Sequence, residues 1–148
     1  MMVKKIAILS PGDMGHAVGQ ALSEHGFELL TCLAGRSDRT GALARDAGFR
    51  VSETLNDLMV EADLLLSILV PANAETVAQE IAQSLQETGE STLIADCNAI
   101  SPMRSEYISR IIESAGGRFI DASIIGHPPG RGVPPRFYVS GQYADAML

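Results

Sequence analysis

The sequence lacks a hydrophobic run long enough to cross a membrane. Its longest apolar stretch, residues 64–70, is interrupted by Ser67 and falls far short of the roughly 20 residues that a transmembrane helix needs. Lys4 and Lys5 are followed by only four apolar residues, so no signal-peptide core is expected. We therefore expect a cytoplasmic protein that has no membrane partner.

Cysteine and clustered positive charge are also scarce. The two cysteines, Cys32 and Cys97, lie in apolar segments without a Cys-x-x-Cys motif, which predicts buried thiols. The three histidines are far apart in the sequence, so no dedicated metal site is expected. The formal net charge is −7 and the longest basic tract is Lys4-Lys5, which argues against a nucleic-acid partner.

Short apolar runs alternate with helical patterns along the whole chain. This alternation is typical of a mainly parallel sheet with right-handed crossovers and helices on both faces. Because 148 residues leave no room for a second domain of similar size, we predict one α/β, doubly wound domain of about six to seven strands. The predicted strands are residues 6–9, 27–34, 49–51, 62–70, 92–97, 118–125 and 137–140. The predicted helices begin near residues 13, 38, 54, 75 and 101.

The turn after the first predicted strand is a candidate phosphate site. Dinucleotide-binding turns carry G-x-G-x-x-G, and Ser10, Gly12 and Gly15 occupy the three glycine positions here. Gly12 would let the backbone approach a phosphate, and the helix that begins near Asp13 would direct its N–H groups at the anion. The alternative is an ordinary strand-to-helix turn that needs glycine for its backbone angles. The candidate binding residues of this turn are Ser10, Pro11, Gly12, Asp13, Met14 and Gly15.

The end of the second predicted strand favours NADP(H) over NAD(H). An acidic residue near this point holds the ribose 2′-hydroxyl of NAD, whereas an arginine accommodates the 2′-phosphate of NADP. Arg36 and Arg39 flank Ser37 here, so two guanidinium groups and a hydroxyl could bind the phosphate. The alternative is that both arginines are solvated and that Asp38 accepts a ribose hydroxyl instead.

With these motifs in order, the chain resembles the N-terminal domain of the 6-phosphogluconate dehydrogenase and 3-hydroxyisobutyrate dehydrogenase superfamily, the β-hydroxyacid dehydrogenases. Residues 6–15 are similar to its I-G-x-I-G-x-G-x-M-G motif, and Arg36-Ser37 to the Asn-Arg-Thr or Asn-Arg-Ser that receives the 2′-phosphate. Residues 96–102 resemble D-x-S-T-x-S-P, and residues 121–126 resemble D-A-P-V-S-G-G. Leu69, Val70 and Pro71 match the strand end that passes the adenosine and the nicotinamide ribose.

The resemblance implies a Rossmann-type NAD(P)-binding domain over residues 1–148. It also implies an oxidoreductase that transfers a hydride between the nicotinamide and a small hydroxy acid or a related carbonyl compound, which would be its small-molecule substrate. The family's catalytic lysine lies on an all-helical C-terminal domain, whereas the two lysines of this chain precede the first strand. We therefore expect a cofactor half that is inactive alone and is completed by the missing helical domain or by a homo-oligomer.

Two departures from the family's motifs leave the substrate open. The family's Ser-Thr pair is Asn98-Ala99 here, and two positions of its substrate loop are Ile125 and His127. Asn98 could offer amide donors and an acceptor near the nicotinamide; the alternative is an asparagine that stabilises the turn before a helix. His127 is the other candidate catalytic residue, with a structural loop histidine as its alternative.

Two other functions also fit the sequence. One is a non-catalytic nucleotide-binding or redox-sensing module that acts through a partner protein. The other is a short imine-type reductase that borrows its second wall from another subunit. We also expect weak self-association through Ile124, Ile125 and the loop at residues 128–135, because the absence of the helical half would leave apolar surface there.

Overall fold

The computed structural model describes residues 3–9, 13–32, 38–68, 73–98, 100–125 and 136–147, and these residues form one sheet with helices on both sides. The strands are β1 (Lys5–Leu9), β2 (Glu28–Cys32), β3 (Arg50–Ser52), β4 (Leu64–Ser67), β5 (Leu93–Asp96), β6 (Arg118–Ile125) and β7 (Arg136–Ser140). The helices are α1 (Asp13–Glu24), α2 (Asp38–Asp46), α3 (Leu55–Glu61), α4 (Ala74–Thr88) and α5 (Pro102–Ser114), and a 3₁₀ turn follows at Ala144–Met147.

The seven strands lie in the order β3-β2-β1-β4-β5-β6-β7. The first six in chain order pair in parallel, and β7 pairs antiparallel with β6. The chain winds outward from β1 to β3 and then, from β4 onward, outward in the other direction. The predicted doubly wound, mainly parallel α/β fold is therefore confirmed.

Apolar side chains on successive strand residues pack against both faces of the sheet. On one face, Leu65 and Ile94 pack with residues of α3, α4 and α5. On the other face, Ile8 and Leu66 pack with residues of α1 and α2. A strand that is covered on both sides needs apolar residues at consecutive positions, which explains the nearly unbroken apolar run of β4.

Glycines in a left-handed conformation follow the ends of two helices. Gly48 and Gly89 follow α2 and α4 with φ angles of 86° and 72°, a left-handed conformation that costs little without a Cβ atom. Helix α4 ends at Thr88, and Gly89 after it donates its N–H to the Leu85 carbonyl. The 3₁₀ turn at Ala144–Met147 was not predicted.

Helix α1 packs closely against Phe49, the residue before β3. A Cβ atom on Gly19 would lie 2.2 Å from Cζ of Phe49, so only glycine allows the observed contact. Among the described residues, no helix is long and apolar enough to cross a membrane.

Candidate functional site

The candidate site lies where the winding of the sheet reverses, at the carboxyl ends of β1 and β4. These strands are neighbours, with Leu9 in register with Ser67. The helix after β1 packs on one face of the sheet and the helix after β4 packs on the other. In doubly wound sheets, ligands bind in a crevice outside the strand ends at such a point.

The predicted phosphate-binding turn joins β1 to α1. Ser10, Pro11 and Gly12 lie outside the described residues, whereas Asp13, Met14 and Gly15 form the first turn of α1. Gly15 is buried, and Met14 packs against the apolar layer that also contains Ile8. Since β1 ends at Leu9 and α1 begins at Asp13, the helix N-terminus lies at the carboxyl end of β1. Its first N–H groups, which have no partner within the helix itself, are therefore at the edge where a pyrophosphate would bind.

The predicted 2′-phosphate residues follow the neighbouring strand β2. Arg36 and Ser37 lie outside the described residues, and Arg39 belongs to the first turn of α2. Because β2 pairs with β1, the connection from β2 to α2 begins at the same edge as the turn after β1. Leu69, Val70, Pro71 and His127 also lie outside the described residues, so their predicted roles stay predictions.

Three buried polar side chains join the carboxyl ends of β4 and β5. Ser67 and Asp96 end these strands and are in register, and together with Asn98 they are each 4% exposed. The Asn98 main-chain N–H donates to Oδ1 of Asp96 at 2.9 Å, and its side-chain Nδ2 donates to Oγ of Ser67 at 3.4 Å. The Asn98 amide is thus directed into the protein, where it links the ends of two neighbouring strands.

Burial raises the pKa of the Asp96 carboxyl, and the negative charge of Asp121 on β6 adds to this effect. Hydrogen bonds from the main chain and side chain of Asn98, and the positive charge of Arg104, act in the opposite direction without cancelling it. Arg104 lies in the first turn of α5, where it also donates from Nε to Oε1 of Glu75 on α4 at 3.1 Å. Asp96 is therefore the one described carboxyl whose pKa is clearly raised.

The predicted burial of the cysteines is confirmed, and both are free thiols. Burial, together with the charges of Asp96 and Asp121, raises the pKa of Cys97 to about 12. Because the thiolate is the reactive form, Cys97 is chemically inert despite its place beside Asn98. No group of three His, Cys, Asp or Glu side chains in the described ranges is arranged to hold a metal ion.

Sequence reasoning singled out Asn98 but did not identify its buried partners. Ser67 interrupts the apolar run of β4 and Asp96 ends β5, so a polar residue at the last position of a buried strand was the available signal. The start of the next helix was predicted correctly. Ser101 is the N-cap of α5, with its hydroxyl accepting the Arg104 N–H at 3.3 Å, and Pro102 is the first helical residue.

A family model for the NAD-binding domain of 6-phosphogluconate dehydrogenase matches residues 5–145 of this chain. Two curated relatives are each 25% identical over 122 residues, or 82% of this chain. They are an uncharacterised 28.5 kDa protein of Methanothermus fervidus and the mitochondrial 3-hydroxyisobutyrate dehydrogenase of Bos taurus. The matches cover 45% and 36% of these proteins, so the chain spans less than half the length of the curated relatives it matches.

Solved structures share this fold over most of the chain. A conserved protein of unknown function, similar in structure to 3-hydroxyacid dehydrogenases, gives a TM-score of 0.84 at 26% identity over 97% of this chain and 52% of its own. The 3-hydroxyisobutyrate dehydrogenase of Mycobacterium tuberculosis gives a TM-score of 0.80 at 22% identity, over 97% of this chain and 48% of its own. The imine reductase of Myxococcus stipitatus with NADP+ gives a TM-score of 0.67 at 18% identity, over 84% of this chain and 42% of its own. A variant of that reductase with NAD+ gives a TM-score of 0.76 at 17% identity, over 97% of this chain and 48% of its own.

Proposed function

This chain belongs to the family of NAD-binding domains of 6-phosphogluconate dehydrogenase, and we propose that it binds NADP(H) as the cofactor half of an oxidoreductase. The proposed enzyme moves a hydride between the nicotinamide and a small hydroxy acid or a related carbonyl compound. The family match over residues 5–145 is the observation that carries the proposal. A bound nicotinamide would supply the hydride chemistry, and the protein would bind and orient it.

The described residues fit a dinucleotide. The sheet reverses its winding beside β1, and the N-terminus of α1 lies at that strand end with the buried Gly15 in its first turn. Asp13, Met14 and Gly15, with Ser10, Pro11 and Gly12 before them, would hold the pyrophosphate. Leu69, Val70 and Pro71, which follow β4, would line the nicotinamide side of the crevice.

The preference for NADP(H) rests on Arg36, Ser37 and Arg39. Solved structures with the same fold contain NAD+ in one case and NADP+ in another, so the fold alone does not select between the two cofactors. In this chain, two arginines and a hydroxyl follow β2, and arginine forms strong charge-assisted hydrogen bonds with phosphate.

A titration of the chain with NADPH and NADH tests this selectivity. We expect NADPH to bind more tightly than NADH. Arg36→Ala should raise the Kd for NADPH by about tenfold or more, because a charge-assisted hydrogen bond is lost. NADH affinity should change little in the same variant. Arg45→Ala is the matched control, since Arg45 lies exposed in the last turn of α2. Tighter binding of NADH than of NADPH by the unmodified chain would contradict the proposal.

We also propose that residues 1–148 bind the cofactor without turning over a substrate. Moving the hydroxyl proton during hydride transfer normally requires a positioned acid or base, and Lys4 and Lys5 lie before and at the start of β1, at the edge of the sheet opposite the candidate crevice. The helical half of a longer chain or a second subunit would supply that group. Steady oxidation of small hydroxy acids with NADP+ by this chain alone would contradict this part.

An imine-type reductase is the second candidate. Asn98-Ala99 and Ile125 replace residues that contact the substrate's carboxylate and hydroxyl in the hydroxyacid dehydrogenases that the chain resembles, which favours a different substrate. Reading the gene beyond Leu148 separates the candidates. A helical domain with a Lys-x-x-x-Asn pattern would support a hydroxyacid dehydrogenase. A stop codon would instead support an imine-type reductase completed by another subunit, or a nucleotide-binding module without catalysis.

A further inference from the structure

The side-chain amide of Asn98 already has a hydrogen-bond partner inside the protein. Its Nδ2 donates to Oγ of Ser67 at 3.4 Å, and the Asn98 main-chain N–H donates to Oδ1 of Asp96 at 2.9 Å. Asn98 is thus bonded to the ends of both strands, and its side chain also lowers the pKa of the Asp96 carboxyl. All three residues are at least nine-tenths buried, and rotating the Asn98 amide toward a ligand would leave buried polar groups without these partners.

We propose that Asn98 is a positioning residue that sets the shape of the nucleotide crevice by bracing the ends of β4 and β5, and that its amide does not contact the nicotinamide or the substrate. We refer to Ser67, Asp96 and Asn98 together as the strand-end brace. This inference rests on the proposed function, since it concerns how the cofactor crevice is held in shape.

The place of the brace in the sheet explains its effect. The pairing of β4 with β5 ends at Ser67 and Asp96, the last residues of the two strands, and the chain then continues to α4 and α5. The Cys97 N–H still donates to the Ser67 carbonyl at 3.0 Å, and the Asn98 amide adds a bond to the Ser67 hydroxyl. Loss of this bond would let Asn98 move relative to the end of β4, beside the proposed crevice.

Charged groups from three further elements surround the brace. Asp121 on β6 is in register with Asp96, and Arg104 on α5 is paired with Glu75 on α4. Asp121 raises the pKa of the Asp96 carboxyl, whereas Arg104 and the Asn98 side chain lower it. Removing the amide should therefore raise the pKa of Asp96 further, whether or not a nucleotide is bound.

A double-mutant cycle on the full chain tests the proposal. The Kd for NADPH is measured for Ser67→Ala, Asn98→Ala and the double variant. If Asn98 acts through Ser67, each single change weakens binding by about fivefold and the double variant weakens it by about the same factor. If the Asn98 amide contacts the ligand directly, Ser67→Ala leaves Kd unchanged or the two effects multiply, and either result overturns the proposal.

The matched control is Ser84→Ala. Ser84 is also buried and also bonds to an asparagine, donating from Oγ to Oδ1 of Asn56 at 2.6 Å, but this pair joins α3 to α4. Ser84→Ala should lower stability as Ser67→Ala does while leaving Kd for NADPH unchanged. Equal losses of affinity in both serine variants would show a general loss of stability and would overturn the positioning role.

Titration of the Asp96 carboxyl carbon by ¹³C NMR without nucleotide gives a second measurement. Asn98→Ala should raise the pKa of Asp96 and Ser84→Ala should not; an unchanged Asp96 titration in Asn98→Ala would overturn the brace. If the unmodified chain binds neither nucleotide, the proposed function fails and the positioning role fails with it. If it binds NADPH and both brace variants bind equally well, the positioning role alone fails.

Discussion

At the scale of single residues, Gly19 lets α1 pack against the Phe49 ring because glycine has no Cβ atom. Alanine is normally better than glycine inside a helix by about 1 kcal/mol. Here a Cβ atom would lie 2.2 Å and 2.5 Å from Cζ and Cε2 of the buried Phe49 ring, so overpacking should exceed that gain. We expect Gly19→Ala to lower the free energy of unfolding by about 1–3 kcal/mol in urea titrations.

Two variants control this prediction. Gln20→Ala changes an exposed residue of the same helix and should stay close to wild type. Phe49→Leu in the Gly19→Ala background should recover part of the loss, because the shorter side chain frees space. If Gly19→Ala is more stable than wild type, the gain in helix propensity outweighs the cost of the clash with the Phe49 ring, and the prediction is wrong.

Asp63 gives the molecule an acid-sensitive link at the opposite edge of the sheet. Burial opposes ionisation of Asp63, but hydrogen bonds from the main-chain N–H groups of Lys5 and Lys4, both 2.9 Å, hold the pKa of this carboxyl below its ordinary value. A pKa that is lower in the folded state means that the carboxylate stabilises the fold above the unfolded pKa, near pH 4. This stabilisation disappears as the pH falls through the folded pKa.

The isosteric variant Asp63→Asn tests this link. We expect it to be less stable than wild type at pH 7. The difference should shrink as the pH falls below about 4, because Asp63 of the unfolded chain is protonated first, and it should disappear as the pH passes through the lower folded pKa. Urea midpoints measured between pH 7 and pH 2.5 give the comparison. A difference that is constant across this range would show that the charge of Asp63 does not contribute.

At the scale of secondary-structure elements, the start of α5 depends on Ser101. Its hydroxyl accepts the Arg104 N–H, and Pro102 supplies a helical φ angle at the first position of the helix. Ser101→Ala should cost about 1 kcal/mol, whereas Ser101→Asp should keep most of the cap. Ser114→Ala, at the exposed other end of the helix, is the control. Equal unfolding midpoints for Ser101→Ala and wild type would contradict a stabilising cap.

At the scale of the whole molecule, cofactor binding should stabilise the fold. A ligand at a hundred times its Kd adds about 2.7 kcal/mol if it binds the folded state alone. For a chain of this size we expect NADPH to raise the melting temperature by on the order of 5–10 °C, and NADH at the same concentration to raise it less. Thermal melts followed by circular dichroism give both values. If neither nucleotide raises the melting temperature at saturating concentration, the proposal that this chain binds a nicotinamide nucleotide is contradicted.

The fold was predictable because each of its signals is local. Alternating apolar runs and helical patterns identified all seven strands and five α-helices of the described residues. Strand lengths were less accurate: β4 ends at Ser67, and the predicted run continues into residues 69–70, which lie outside the described residues. The candidate site could be predicted only as a set of segments, because motif positions identify residues but not the direction of their side chains.

The sequence by itself determined the family, the winding of the sheet and the segments that meet at its carboxyl edge, since these follow from periodicity and from motif order. Only the tertiary structure decided what Asn98 does. Its partner Ser67 lies on another strand, 31 positions away, and register across the sheet brings the two together. The tertiary structure also decided that residue 19 must be glycine, because the Phe49 ring that occupies the space lies outside α1. Contacts between elements distant in the chain depend on packing, and local sequence patterns do not encode them.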